Sequence, residues 1–282
     1  MPRWTLDDIP WSRFRPKAVD PELLAVVKAA ALVERNADDY ARYLGQVFDD
    51  DSVFRDAVAR WAEEEAQHGE ALRRWAELAD PGFDFAQALR RFRAGYSLPL
   101  DAPASVRGSR SGELIARCIV ETGTSSHYAA LGEAAREPVL AEICRRIRAD
   151  ELRHYKLFYD HLRRYRARER PGLLARTAVA LGRLREVDDD ELAFAWHAAN
   201  EPPERPYVRA ACARAYAASA FARYRRHHVR EAVGLILKAI GLDSRNRLTR
   251  RLTRHMAPLV ARLAWWLLRR RVAAATPRPA AP

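Results

Sequence analysis

The stretch Arg148–Phe158, RADELRHYKLF, sets Glu151 and His154 three residues apart in a run without a helix breaker. In an α-helix, side chains at i and i+3 share a face about one turn apart, so a carboxylate oxygen and an imidazole nitrogen can converge on one ion. An ordinary solvated helix face satisfies the same spacing. The meaning of the pair therefore rests on what the rest of the chain offers.

Glu-x-x-His occurs once more, at Glu65 and His68 within WAEEEAQHGEALRRW. With 19 Glu and 8 His in 282 residues, chance supplies about half a match of this kind. Each pair lies in a long helical run. Between them, an expected helix over about 110–136 carries Glu121 on a face with Leu114, Cys118 and Thr124. Ahead of them, an expected helix over about 21–47 carries Glu34 in a stripe with Val27, Ala30, Ala31, Ala37 and Ala41.

The order is Glu, Glu-x-x-His, Glu, Glu-x-x-His, one element per helix. That is the ligand set of a carboxylate-bridged di-iron or di-manganese site in a four-helix bundle. Four carboxylates and two imidazoles balance two divalent ions, and mixed O/N ligation with open positions suits iron that meets O2. Taken singly, each residue also has an ordinary reading. Glu34 fits a surface acid, Glu65 follows Glu63 and Glu64 in what reads as a charge run, and His68 and His154 fit partly exposed histidines. Six residues in the expected order would require those ordinary readings to coincide.

Composition points the same way. The chain is 49% apolar, with 12 Gly and long Ala-, Leu-, Arg- and Glu-rich runs, and few segments alternate with period two. The expected class is all-α: a ferritin-like four-helix bundle over 21–170, an irregular arm over 1–20, additional helices over 171–271 and a disordered tail over 272–282. Further helices are expected near 52–79, 84–95, 138–169, 172–185, 189–199 and 207–240, with SLPLDAPASVRGSRS as a loop.

Cys118, Cys144 and Cys212 form no C-x-x-C, which argues against a rubredoxin-type centre, a zinc knuckle or a disulfide framework. The segment MPRWTLDDIPWSRF has acids and prolines where a signal peptide needs an apolar run, so the expected location is cytoplasmic. The net charge of +12 favours an acidic partner. Lys occurs only at 17, 28, 156 and 238 and no groove-reading motif is present, so no specific nucleic acid is expected. MAPLVARLAWWLLRRR ends a stretch with nine Arg and no acid from Arg245 to Arg271. Such a segment suits peripheral membrane contact, packing on the bundle or a homodimer contact.

WAEEEAQHGEALRRW (61–75) and ICRRIRADELRHYKLFY (143–159) resemble the two iron-binding helices of the soluble acyl-acyl carrier protein desaturases. There the ligand pairs sit in an EE-N-x-H-G run and a DE-x-R-H run. ETGTSSHYAALGEAAREPVLAEIC (121–144) resembles the segment joining them, and the likeness covers roughly 30–165. The resemblance implies metal ligands at Glu34, Glu65, His68, Glu121, Glu151 and His154, with Glu65 paired with Glu34 and with Glu121 and Glu151 completing the bridge and second site.

It further implies that Asp150 hydrogen-bonds a ligating histidine and fixes its tautomer. Thr124 would stand on the oxygen-binding face, where a hydroxyl can pass a proton; its bland alternative is a bond to its own backbone. Gly123 would leave space for oxygen or substrate. No clear match exists for the family's electron-transfer tryptophan; Trp4, Trp11, Trp61 and Trp75 each fit either a conduit or the core, and the chain diverges after about 170.

The function this implies is an O2-activating di-iron oxidoreductase, with manganese able to replace one iron, acting on an acyl chain by desaturation or hydroxylation. A ferredoxin-like donor and an acidic acyl carrier protein would be its partners. Two alternatives stand beside it. One is a ferritin- or rubrerythrin-like iron or peroxide handler. The other is a ligand-binding oxidase akin to the ribonucleotide reductase small subunit, with Tyr40, Tyr128 or Tyr155 as a redox tyrosine.

Overall fold

The computed structural model describes residues 4–97, 104–186, 190–242 and 247–275. Every regular element among them is helical, so the class is all-α. The arm before residue 21 makes three short 3-10 turns and buries Trp4 and Ile9 against the helices.

Helix α1 (Pro21–Glu34) starts where Asp20 accepts the backbone N–H groups of Glu22 and Leu23 at 2.9 and 3.3 Å, with Pro21 suited to a first turn that needs no donor. The continuous helix expected over 21–47 is broken at Arg35–Asn36, and α2 spans Ala37–Val47. No Gly or Pro marks the break. It packs on Gly69, where an added Cβ would lie 2.9 Å from the Arg35 nitrogen. The interruption also shifts the buried face of α2 to Ala37, Tyr43, Leu44 and Val47, so Ala41 leaves the expected stripe.

Helix α3 (Ser52–Ala79) is capped by Asp51, α4 spans Phe85–Gly95, and α5 (Arg110–Ala134) is capped by Ser109. Helix α6 (Pro138–Glu169) begins on Glu137, whose carboxylate takes the Leu140 N–H at 2.8 Å and the Trp75 indole at 2.7 Å. Then follow α7 (Leu173–Arg185), α8 (Asp190–Asn200), α9 (Arg209–Phe221), α10 (Arg226–Ala239) and α11 (Arg247–Ala275).

The single helix expected over 207–240 is thus two. His228 accepts the Arg225 N–H at 3.0 Å and starts the second. Helix α11 runs four residues into the tail expected to be disordered; residues 276–282 lie outside the described set.

Helix α1 packs along α3, α5 pairs with α6 as a hairpin, and α3 joins the pairs by packing on α6. Along this arrangement one core gathers Leu23, Val27, Leu72, Trp75, Ile143 and Ile147, and another gathers Phe54, Trp61, Leu114, Phe158 and Leu162. The polar pairs in α3 and α6 fall between these two apolar layers. Helices α7 and α10 lie on α5, α8 lies on α1, and α11 rests on α9 and α10. No described helix is long and apolar enough to cross a membrane.

Candidate metal centre

Burial of six ionisable side chains at one level of four helices needs a physical reason. Glu34 is 8% exposed at the last turn of α1, and Glu65, His68, Glu121, Glu151 and His154 are each 5% exposed or less. Helix geometry places the i and i+3 partners of α3 and of α6 on one face, and these faces meet.

The ligand atoms fall into two overlapping groups, Glu34, Glu65, His68 and Glu151, and Glu65, Glu121, Glu151 and His154. Within each, one atom per residue lies inside 4.8 Å of the others. The shared carboxylates are Glu65 and Glu151, one from each Glu-x-x-His helix. Glu121, expected to help complete the bridge, belongs to the second group alone.

Both histidines turn Nδ1 inward. His68 Nδ1 lies 3.2 Å from Glu65, 3.4 Å from Glu151 and 3.8 Å from Glu34. His154 Nδ1 lies 3.1 Å from Glu65 and 3.7 Å from Glu121. Both turn Nε2 outward onto a carboxylate, His68 to Asp150 at 3.0 Å and His154 to Glu64 at 2.9 Å. Each outer carboxylate accepts the Nε2–H, so a metal that displaced the Nδ1 proton would find that lone pair facing the centre; with no metal, the surrounding carboxylates outweigh burial and hold both imidazoles well above their usual range.

The carboxylates are perturbed by the same crowding. Burial, then Glu65, raises the Glu34 carboxyl to about 8, and burial, then Glu151, holds Glu121 well above the ordinary range. Glu151 is raised by burial and by Glu65. Burial also acts against the Glu65 anion, yet the two imidazoles more than offset it and hold Glu65 well below the usual range. Four carboxylates in so small a volume cannot all ionise unless cations take the place of protons.

Glu121 Oε2, Glu151 Oε1 and His154 Nδ1 are buried and make no well-directed hydrogen bond, only the ion-pair approaches just given. Leaving three such atoms poorly satisfied is costly, and the donor set fits a pair of metal ions that would satisfy them.

Four further residues complete the surroundings. Trp4 donates its indole N–H to Asp150 at 2.7 Å. Tyr128 donates to Glu34 Oε1, and Arg117, 6% exposed, donates to Glu121 Oε1 at 3.2 Å. Thr124 donates to Glu151 Oε2, while the carbonyl oxygens of Val120 and Glu121 also lie within reach at 3.3 and 3.2 Å. Glu64 is the residue most hidden in sequence, because a charge run next to Glu65 reads as solvated. Arg117 had a signal in its i, i+4 spacing from Glu121.

Of the three tyrosines considered as redox groups, Tyr128 hydrogen-bonds a candidate ligand. Tyr40 bonds to Glu191 at 2.7 Å and lies 3.2 Å from the Tyr96 hydroxyl, and Tyr155 bonds to the Leu235 carbonyl at 2.8 Å.

A cavity of about 70 Å3 is walled by Glu34, Glu65, Glu121, Glu151 and Thr124. A larger one of about 260 Å3 shares Glu34 and Thr124 with it and extends along α5 under α7, α8 and α10. Comparison with known families and proteins gives no identity: no family model matches the chain, and no curated protein does.

Proposed function

We propose that the chain is a ferritin-like, di-iron, O2-activating oxidoreductase that acts on an apolar organic substrate, an acyl chain in the reading the desaturase resemblance suggests. The observation that carries this is the pair of overlapping four-residue groups sharing Glu65 and Glu151. Two irons, or manganese with iron, held by these six residues would supply oxygen activation and the capacity to break an unactivated C–H bond.

The chain's own residues then have definite tasks. Glu34 with His68, and Glu121 with His154, would each hold one ion, and Glu65 and Glu151 would span both. Thr124, hydrogen-bonded to Glu151, can hold and pass a proton on the side of the larger cavity. The bonds Trp4–Asp150–His68, 2.7 and 3.0 Å long, join the N-terminal arm to the centre and support delivery of electrons from a ferredoxin-like partner. The apolar cavity against Glu34 and Thr124 favours an organic substrate over ferritin- or rubrerythrin-like handling of iron or peroxide alone. The Tyr128–Glu34 contact gives one specific support to a second reading, an oxidase with a redox tyrosine.

Partners fit surface chemistry. The +12 charge suits an acidic carrier or donor protein. Leu259, Leu263, Trp266 and Leu267 are exposed on α11 beside arginines, which supports peripheral contact with an anionic lipid surface.

Metal content per chain tests the reading. About two ions per chain are expected for this ligand set. Glu65→Ala and Glu151→Ala should each lose both, and Glu34→Ala only one. Metal-free protein after iron-replete expression would sink the proposal.

A further inference from the structure

The larger cavity has a composition that the metal ligands do not require. Its walls come from α1 (Ala30, Val33), α5 (Ile119 to Tyr128) and the helices after residue 170 (Leu184, Leu192, Tyr216, Ile236), so the C-terminal helices roof a space that α1 and α5 leave open. Gly123 sits on its wall, and a Cβ built there would meet nothing within 4 Å.

We propose that this cavity binds an uncharged, mostly apolar molecule of about nine non-hydrogen atoms, whose single neutral oxygen hydrogen-bonds to the His127 imidazole. The proposal builds on the oxidoreductase reading only in taking the bound molecule for a substrate; the binding itself stands apart from it.

Size comes first. A volume of about 260 Å3, at roughly 30 Å3 for each water-sized group, takes about nine such groups.

Charge comes second. The acidic and basic groups on the wall other than His127 are Arg183, Glu34, Glu186 and Glu191; the tyrosines Tyr128, Tyr216 and Tyr224 are held neutral by burial. Arg183 pairs with Glu186 at 3.5 Å, Arg107 donates to Glu186 at 2.6 Å, Tyr40 donates to Glu191 at 2.7 Å, and Tyr128 donates to Glu34. A carboxylate ligand would meet three acids and one arginine already engaged.

The polar contact comes third. His127 is 9% exposed, it lies on the wall, and its Nε2 has no hydrogen-bond partner. Tyr216 stacks beside it with centroids 6.4 Å apart. Burial pushes this imidazole down to about 4, so it is neutral at pH 7, when one ring nitrogen donates and the other accepts. A hydroxyl or carbonyl oxygen satisfies such a group, whereas a carboxylate gains no opposite charge from it.

The test is calorimetric titration of octan-1-ol, octanoate and hexadecanoate into the purified full chain, with iron content measured on the same samples. Octan-1-ol should bind, and both carboxylates should bind on the order of tenfold more weakly or not at all. His127→Phe should weaken octan-1-ol on the order of tenfold, the loss of one buried hydrogen bond, and His127→Gln should restore it. Gly123→Leu, whose Cβ starts in open space on the wall, should abolish it.

Absence of octan-1-ol binding, equal binding of either carboxylate, or unchanged affinity in His127→Phe would overturn the inference. A full iron complement without octan-1-ol binding overturns this inference alone. Octan-1-ol binding by a chain that takes up no iron overturns the oxidoreductase reading alone.

Discussion

Asp150 and Glu64 grip the outer nitrogens of the two histidines at 3.0 and 2.9 Å, so each carboxylate governs a lone pair it never touches. Asp150→Asn and Glu64→Gln keep the shape and lose the negative acceptor. Each should weaken metal affinity by roughly 10- to 100-fold, read by competition with a chelator, and leave the helix content unchanged.

His127 makes a different prediction. Its folded-state value, about 4, lies below the usual 6.5. A histidine shifted down contributes stability that is full above pH 6.5 and is lost as pH falls toward 4. Wild type should therefore lose on the order of 3 kcal/mol more than His127→Gln across that window, measured by urea unfolding at each pH.

At this scale the sequence exposed the six candidate ligands, because i, i+3 spacing is a local property. It hid Glu64, and it named Trp4 and Tyr128 among several candidates without their partners, which lie 90, 146 and 94 residues away from the three in turn. Trp4 in particular belongs to an arm whose docking no periodicity encodes, so nothing singled it out from Trp11, Trp61 and Trp75.

Among the elements, two helical glycines should answer the same substitution with opposite signs. At Gly69 a methyl would press on the Arg35 nitrogen at 2.9 Å and the Ala31 carbonyl at 3.2 Å, where backbone cannot yield as a side chain does. Gly69→Ala should cost about 1–3 kcal/mol. At Gly123 the methyl enters open space, and Ala gains helix propensity of roughly 1 kcal/mol. Denaturant melts of both variants decide it.

Most helix limits were legible because caps and prolines such as Asp51, Ser109 and Pro138 announce themselves. The breaks at Arg35–Asn36 and before Arg225 were not, since neither uses Gly or Pro. One is imposed by a neighbouring helix, and the other is set by a histidine acting as a cap.

For the whole molecule, the shared carboxylates Glu65 and Glu151 tie α3 and α6 together, while Glu34 and Glu121 tie in α1 and α5. Stripping the metal returns four acids to one buried volume. An ion present at a hundred times its dissociation constant adds about 2.7 kcal/mol. Chelation should thus lower the melting temperature by roughly 5 °C or more, and restored iron should reverse it.

The helices after 170 were legible as helices, but their task was not. That they roof a cavity on α5 depends on contacts between segments distant in sequence.

Arg117 makes the two halves of the centre unequal. It lies buried against Glu121 and is packed over Trp61, Tyr40 and Phe158 at 4.9, 5.1 and 5.6 Å. Its fixed positive charge offsets one carboxylate on the His154 side, whereas Glu34 on the other accepts from the neutral Tyr128 hydroxyl. If the centre holds two cations, the first to arrive should settle beside Glu34 and His68, the second should follow at a weaker affinity, and a half-filled chain should accumulate in between. A protein that fills in a set order can keep two different metals in two assigned seats.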